Sequence, residues 1–177
     1  MPNIKWRKII LLVIAILFVL YNVVWSAFVT FRFESFRKSL GSDLNIGLDK
    51  GLGLGVSSIQ KDEYTYRVFK PAYLTFTGNL SISENMTVFV SNQPKETYYN
   101  VGINIWPRGI NDYEIAVQII EFVPASSGGV SFPMKLDENM NLLDDTPENR
   151  RLYEENLDKI ENLYHLAYEM WGILELE

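Results

Sequence analysis

The sequence predicts an α+β protein on a membrane anchor: an N-terminal transmembrane helix, an antiparallel β-meander of five or six strands, and a long C-terminal α-helix covering it. Three observations carry that expectation. Ile9 to Phe28 is an uninterrupted apolar run, apolar residues alternate with polar ones from Tyr64 to Met134, and from Tyr153 they recur every three or four residues. A period of two reads as strand and a period near 3.6 as helix.

The run IILLVIAILFVLYNVVWSAF carries no charge. Roughly 20 residues rising about 1.5 Å each cross a hydrocarbon core of about 30 Å. Lys5, Arg7 and Lys8 precede it, whereas Arg32, Glu34, Arg37 and Lys38 follow. That balance favours a cytoplasmic N-terminus, and Trp6, Tyr21 and Trp25 stand where interfacial aromatics lie. The expected partition is therefore a cytoplasmic leader over 1–8 and a signal anchor over 9–28. A helical extension and Gly-rich linker follow over 29–63, then an extracytoplasmic domain over 64–177. A cleaved secretory signal is the alternative. Its apolar region is shorter, about 7–15 residues, and ends in small residues, unlike Val24-Trp25-Ser26.

Composition narrows the classes. With Cys 0 there is no disulfide, thiolate metal site, cysteine nucleophile or lipid-modified cysteine. An exported domain without disulfides points to a bacterial cell surface, where the acceptor patterns at Asn79 and Asn85 are chance matches. Residues 31–136 are electrically neutral, but residues 137–177 hold twelve acidic and three basic side chains. Nucleic acid is excluded as a partner, because phosphate binding needs a concentrated basic face.

Taken in order, Phe33, Phe36 and Leu40 give the helical extension one apolar side, with Gly41-Ser42 as its stop. Gly47 to Gly55 lacks the Gly-Lys-Ser/Thr ending of a phosphate loop and reads as a linker or edge strand. Ala72, Leu74, Phe76, Leu80 and Ile82 share parity, so one long strand is expected there, Gly78 marking a bulge or close contact. A loop at Ser83-Glu84-Asn85, with Asn85 left-handed, sets Ile82 against Met86 and Leu80 against Val88. The next strand turns Tyr99, Val101, Ile103 and Ile105 inward and Asn100 and Asn104 outward. Tyr113 to Val123 is central, and Val130, Phe132 and Met134 close the meander.

Thr146 caps the final helix, with Pro147 at its first position and Glu148 in its first turn. One seam runs through Tyr153, Leu157, Ile160, Tyr164, Ala167, Trp171 and Leu174. A second, Leu163, Leu166, Met170 and Ile173, joins in the latter half and is the candidate interaction surface.

Three constellations could carry chemistry. Asp137, Asn139, Asn141 and Glu148 match places 1, 3, 5 and 12 of a calcium loop, but Leu142 replaces the required Gly. His165 stands one turn from Glu169 without a nucleophile at helical spacing. Glu96, Glu114 and Glu121 lie on expected strands, where a facing carboxylate pair could cleave a glycan. In layout alone the chain resembles pilin-type subunits, a long N-terminal helix before a meander. The Gly cut site and the Glu within the apolar segment of such subunits are both missing.

The function expected is a non-catalytic, single-pass accessory or assembly module. It would contact the lipid bilayer through residues 9–28 and other membrane or surface proteins through its domain. Alternatives are an exported ligand- or calcium-binding domain and a glycan-acting hydrolase.

Overall fold

The apolar run forms helix α1, Ile4–Phe28, long and apolar enough to cross a membrane. Its aliphatic side chains from Ile9 to Leu20 stand exposed along the helix. A computed structural model describes residues 4–49, 54–73, 75–85, 97–108, 112–123 and 128–175. The helix runs on through a π turn, Val29–Phe33, into α2, Glu34–Ser39. Glu34 N–H donates to the Val29 carbonyl across that turn. A π turn inserts an extra residue and so rotates the succeeding helical residues about the axis. Phe33 here is fully buried while Phe31 remains 81% exposed. Gly41, at φ +94, ends the helix in a conformation that only glycine adopts freely.

Seven antiparallel strands follow in sequence order: β1 Asn45–Asp49, β2 Leu54–Lys61, β3 Tyr64–Phe69, β4 Asn79–Glu84, β5 Tyr98–Pro107, β6 Tyr113–Phe122 and β7 Gly129–Leu136. The meander is thus seven strands, not five or six. The stretch read as a linker or edge strand contributes to the first two, and of the alternatives the edge strand holds, since β1 lies at the sheet's edge.

Two expectations fail between β3 and β5. Residues 72–82 are not one strand: β3 stops at Phe69, β4 starts at Asn79, and a loop joins them. Pro71 cannot donate to a ladder, and the Thr75 amide and hydroxyl both turn back to the Ala72 carbonyl. Nor can β4 pair with Met86–Val90, since Leu80 and Ile82 lie opposite Val68 and Tyr66 on one side and Ile105 and Ile103 on the other. Met86–Val90 itself falls outside the described residues. Asn85 is not left-handed; Asp62 is, at φ 55. Asn85 instead closes the β2–β3 turn, its amide donating to the Glu63 carbonyl at 2.7 Å and its side chain to the Asp62 carbonyl at 3.2 Å.

Period-two patterning gives the sheet two unlike faces. One buries Tyr66, Val68, Leu80, Ile82, Val101, Ile103, Ile105, Ile115, Val117, Ile119, Met134 and Leu136. Each such burial is worth about 1.5–3 kcal/mol, so this face must be covered. The cover is α3, Pro147–Glu155, and α4, Leu157–Trp171. Thr146 caps α3 by accepting from the Asn149 amide at 3.1 Å. The expected single helix is interrupted at Asn156, which leaves helical geometry while its buried side chain donates to the Leu152 carbonyl at 2.9 Å. Gly172, at φ +66, ends α4.

Helix α2 packs against α4, and Phe33 and Leu40 join the core with Leu163 and Ile173. Leu163 and Ile173 are therefore buried, and Leu166 and Met170 are half-buried against the core.

The β3–β4 loop ties the anchor to the sheet. Trp25 Nε1 donates to the Thr75 carbonyl at 2.6 Å, and Phe76 meets Tyr21 and Phe28 edge-on. A Cβ on Gly78 would lie 2.5 Å from both the Phe33 ring and the Phe69 carbonyl oxygen, so only glycine lets the loop reach the helix. Outside the apolar run, Glu34 accepts from Arg37 Nε at 2.7 Å and Lys70 Nζ at 2.9 Å. The Arg37 bond first, then that of Lys70, lowers its carboxyl from 4.5 to about 2. A depressed folded value contributes stability above the unfolded value and loses it as pH falls through the folded one. Between pH 4.5 and about 2 the wild type should therefore lose about 1 kcal/mol more than Glu34→Gln, read from denaturant midpoints at each pH.

Candidate functional site

The sheet's second face is polar, and among the described residues no helix covers it. Cross-strand register sets Ser58, Arg67, Ser81 and Asn104 in one row. Gln60, Thr65, Ser83, Gly102 and Gln118 form the next. Arg67, Ser81 and Asn104 of the first row and the whole of the second line a groove of about 500 Å³, within the range of small-ligand sites. Gly102 deepens it: a Cβ there would stand 3.2 Å from Ser83 Cβ.

The groove's hydrogen-bonding groups are partly committed. Thr65 Oγ1 donates to Asn85 Oδ1, Gln118 Nε2 to Ser131 Oγ at 2.8 Å, and Asn100 Nδ2 to the Glu84 carbonyl at 3.3 Å. Thr65, Ser81 and Asn100 are buried although no helix overlies them. Arg67 is the cation in this groove. Its Nη1 donates to Ser83 Oγ at 2.9 Å, and no carboxylate pairs with it among the described residues. Burial pushes its guanidinium pKa down. A desolvated guanidinium with unused N–H groups is suited to a planar carboxylate, which it grips through two parallel bonds.

The expected sites fall elsewhere. Asp137 begins a tight turn after β7. Its Oδ1 accepts from the Asn139 and Asn141 amides at 2.9 and 2.7 Å, and its Oδ2 from the Asn141 side chain at 2.7 Å. These hydrogen bonds outweigh its partial burial and hold its carboxyl below the usual range. Tyr164 donates to the Asp137 carbonyl and Tyr153 to that of Met140, each at 2.9 Å, so this turn anchors the helices to the sheet. Glu148 lies apart, in the first turn of α3. Among the described residues no three acidic or histidine side chains gather as a metal site.

His165 Nε2 lies 3.2 Å from Glu169 Oε1, both well exposed on α4. Glu114 and Glu121 occupy opposite faces of β6: Glu114 pairs with Arg108 and Lys135, whereas Glu121 accepts from Tyr99 on the helix side. They cannot flank one glycosidic bond. Glu96 is outside the described residues.

The Arg67 groove is not among the sites expected from sequence. Its signal is present, since Thr65 and Arg67 alternate with Tyr66 and Val68 as Asn100 and Asn104 do with Val101 and Ile103. The pairing that joins Arg67 to Ser81 and Ser81 to Asn104 depends on strand neighbours that parity misassigns.

Compared with protein-family models, with characterised proteins and with solved structures, the chain matches none.

Proposed function

We propose that this protein is a single-pass membrane-anchored accessory module, without catalytic activity, whose domain stands outside the cell and binds an acidic surface partner across its open sheet face. The observation that carries the reading is the Arg67 groove: a half-buried guanidinium that no carboxylate among the described residues pairs with, set among hydroxyls and amides on a face that no described helix covers. Anchoring rests on the apolar helix α1 and on its basic leader. Retention of that helix, in preference to cleavage, is supported by Tyr21 and Trp25, whose contacts with the β3–β4 loop a cut near Ser26 would remove. Apart from Arg67, the groove is lined mainly by hydroxyls and amides; its acidic member, Glu84, is paired with Lys159, and no second carboxylate faces it among the described lining residues, which is why binding is favoured over hydrolysis.

The test uses a photo-crosslinking residue at Asn104, beside Arg67 in the face. Crosslinks to a surface protein should form in cells, and Arg67→Glu should reduce them at least tenfold, because like charge then meets the partner's carboxylates. Crosslinks that persist unchanged in Arg67→Glu would refute the role given to the groove.

A further inference from the structure

We infer that the β3–β4 loop is a second membrane-contacting element, with Tyr73 seated in the outer leaflet of the bilayer beside the transmembrane helix. The inference rests on the membrane-anchor reading and adds what that reading does not contain: part of the folded domain lies below the lipid surface.

Depth is set by the contacts. Tyr73 OH donates to Asn22 Oδ1 at 2.5 Å, and its ring meets Trp25 edge-on with centroids 5.2 Å apart. The rise from Asn22 to Phe28 is about 9 Å at about 1.5 Å per residue. With Ile9–Phe28 spanning the hydrocarbon, Tyr73 is carried well beneath the boundary at Phe28. Sliding the chain outward to free the loop fails at the other end. A core of about 30 Å ending at Asn22 reaches back roughly 20 residues and draws Lys5, Arg7 and Lys8 into the hydrocarbon.

The chemistry fits that depth. Asn22 is the amide within the apolar run, and both ends of it are satisfied: Nδ2 donates to the Phe18 carbonyl at 2.7 Å and Oδ1 accepts from Tyr73. Such pairing is needed where no water competes. Trp25 Nε1 is likewise engaged by Thr75. Outward, the loop presents Tyr73, 58% exposed, and Phe76, 39% exposed. Tyr and Phe surfaces beside a spanning helix match the aromatic belt at the lipid boundary.

The native chain has no cysteine, so single labels are unambiguous. Tyr73→Cys, Phe18→Cys and Glu138→Cys proteins, spin-labelled and reconstituted in phosphatidylcholine–phosphatidylglycerol vesicles, report depth through collision with oxygen and with a water-soluble nickel complex. The expected result is high oxygen and low nickel accessibility at positions 18 and 73, with the reverse at 138. A label at 73 that matches 138 while 18 stays lipid-like overturns the inference and leaves the anchor standing. Low accessibility to both reagents at 73 overturns it in favour of a protein contact. A nickel-accessible label at 18 overturns the anchor itself. Thr77→Cys repeats the measurement on an exposed side chain of the same loop should Tyr73→Cys disturb the fold.

Discussion

Phe33→Ala lowers the unfolding free energy of the domain by about 3–5 kcal/mol, as truncations of large buried aromatics do. Phe33 is 0% exposed and sits where three parts of the chain converge. Its ring meets Phe28 and Phe36 edge-on, and Gly78 has given up a side chain to admit it. The surrounding groups are held by the π turn on one side and the β3–β4 loop on the other, so they cannot collapse into the void. Total stabilities of about 5–15 kcal/mol make such a loss visible as an early denaturant midpoint. The same variant should loosen helix from sheet: proteolysis between residues 40 and 45 should accelerate, although the apolar run itself is unchanged. A shift below about 1 kcal/mol would show that the anchor is a tether, not part of the core.

Trp171→Ala is expected to cost a comparable 3–5 kcal/mol, whereas Trp171→Phe should cost under about 1.5 kcal/mol. Trp171 is 8% exposed at the end of α4, packed edge-on against Tyr66 of β3 with centroids 6.3 Å apart. Its indole Nε1 is buried without a hydrogen-bond partner among the described residues. Alanine removes the packing and leaves a cavity. Phenylalanine keeps much of the ring contact and also removes the unsatisfied N–H, whose desolvation opposes folding. Equilibrium unfolding in denaturant separates the two effects. Equal losses in both variants would mean that the indole N–H is satisfied after all.

These contacts explain what sequence could and could not disclose. The inward set Val101, Ile103 and Ile105 was legible because a two-residue period reports one buried face directly, whereas the strand from Tyr113, expected to be central, is the sixth of seven, flanked by β5 and the edge strand β7. The Thr146–Pro147 helix start was legible because capping chemistry is local. Phe76 was not, because it is apolar for the sake of Tyr21 and Phe28 of α1 and not of the sheet, and parity cannot tell one buried partner from another. The double seam on α4 showed that a second apolar neighbour exists. It could not show that the neighbour is α2, more than a hundred positions earlier in the chain. Arg67 was hidden for a related reason. Its meaning comes from Ser81 and Asn104, which reach it only through pairing of β3, β4 and β5. At the Asp137 turn the oxygen-rich spacing matches places in a calcium loop, and its carboxylate accepts from the Asn139 and Asn141 amides and the Asn141 side chain, which spacing alone does not disclose.

The proposed topology is tested most directly by labelling Glu138→Cys on intact cells with a membrane-impermeant thiol reagent, then extracting membranes at alkaline pH. Glu138 is exposed on the domain, far along the chain from the anchor, and no native cysteine competes. Full labelling without permeabilisation is expected, with a full-length product that stays with the membrane after extraction. Labelling only after the cells are opened, or a labelled form shortened and released into the medium, would contradict it.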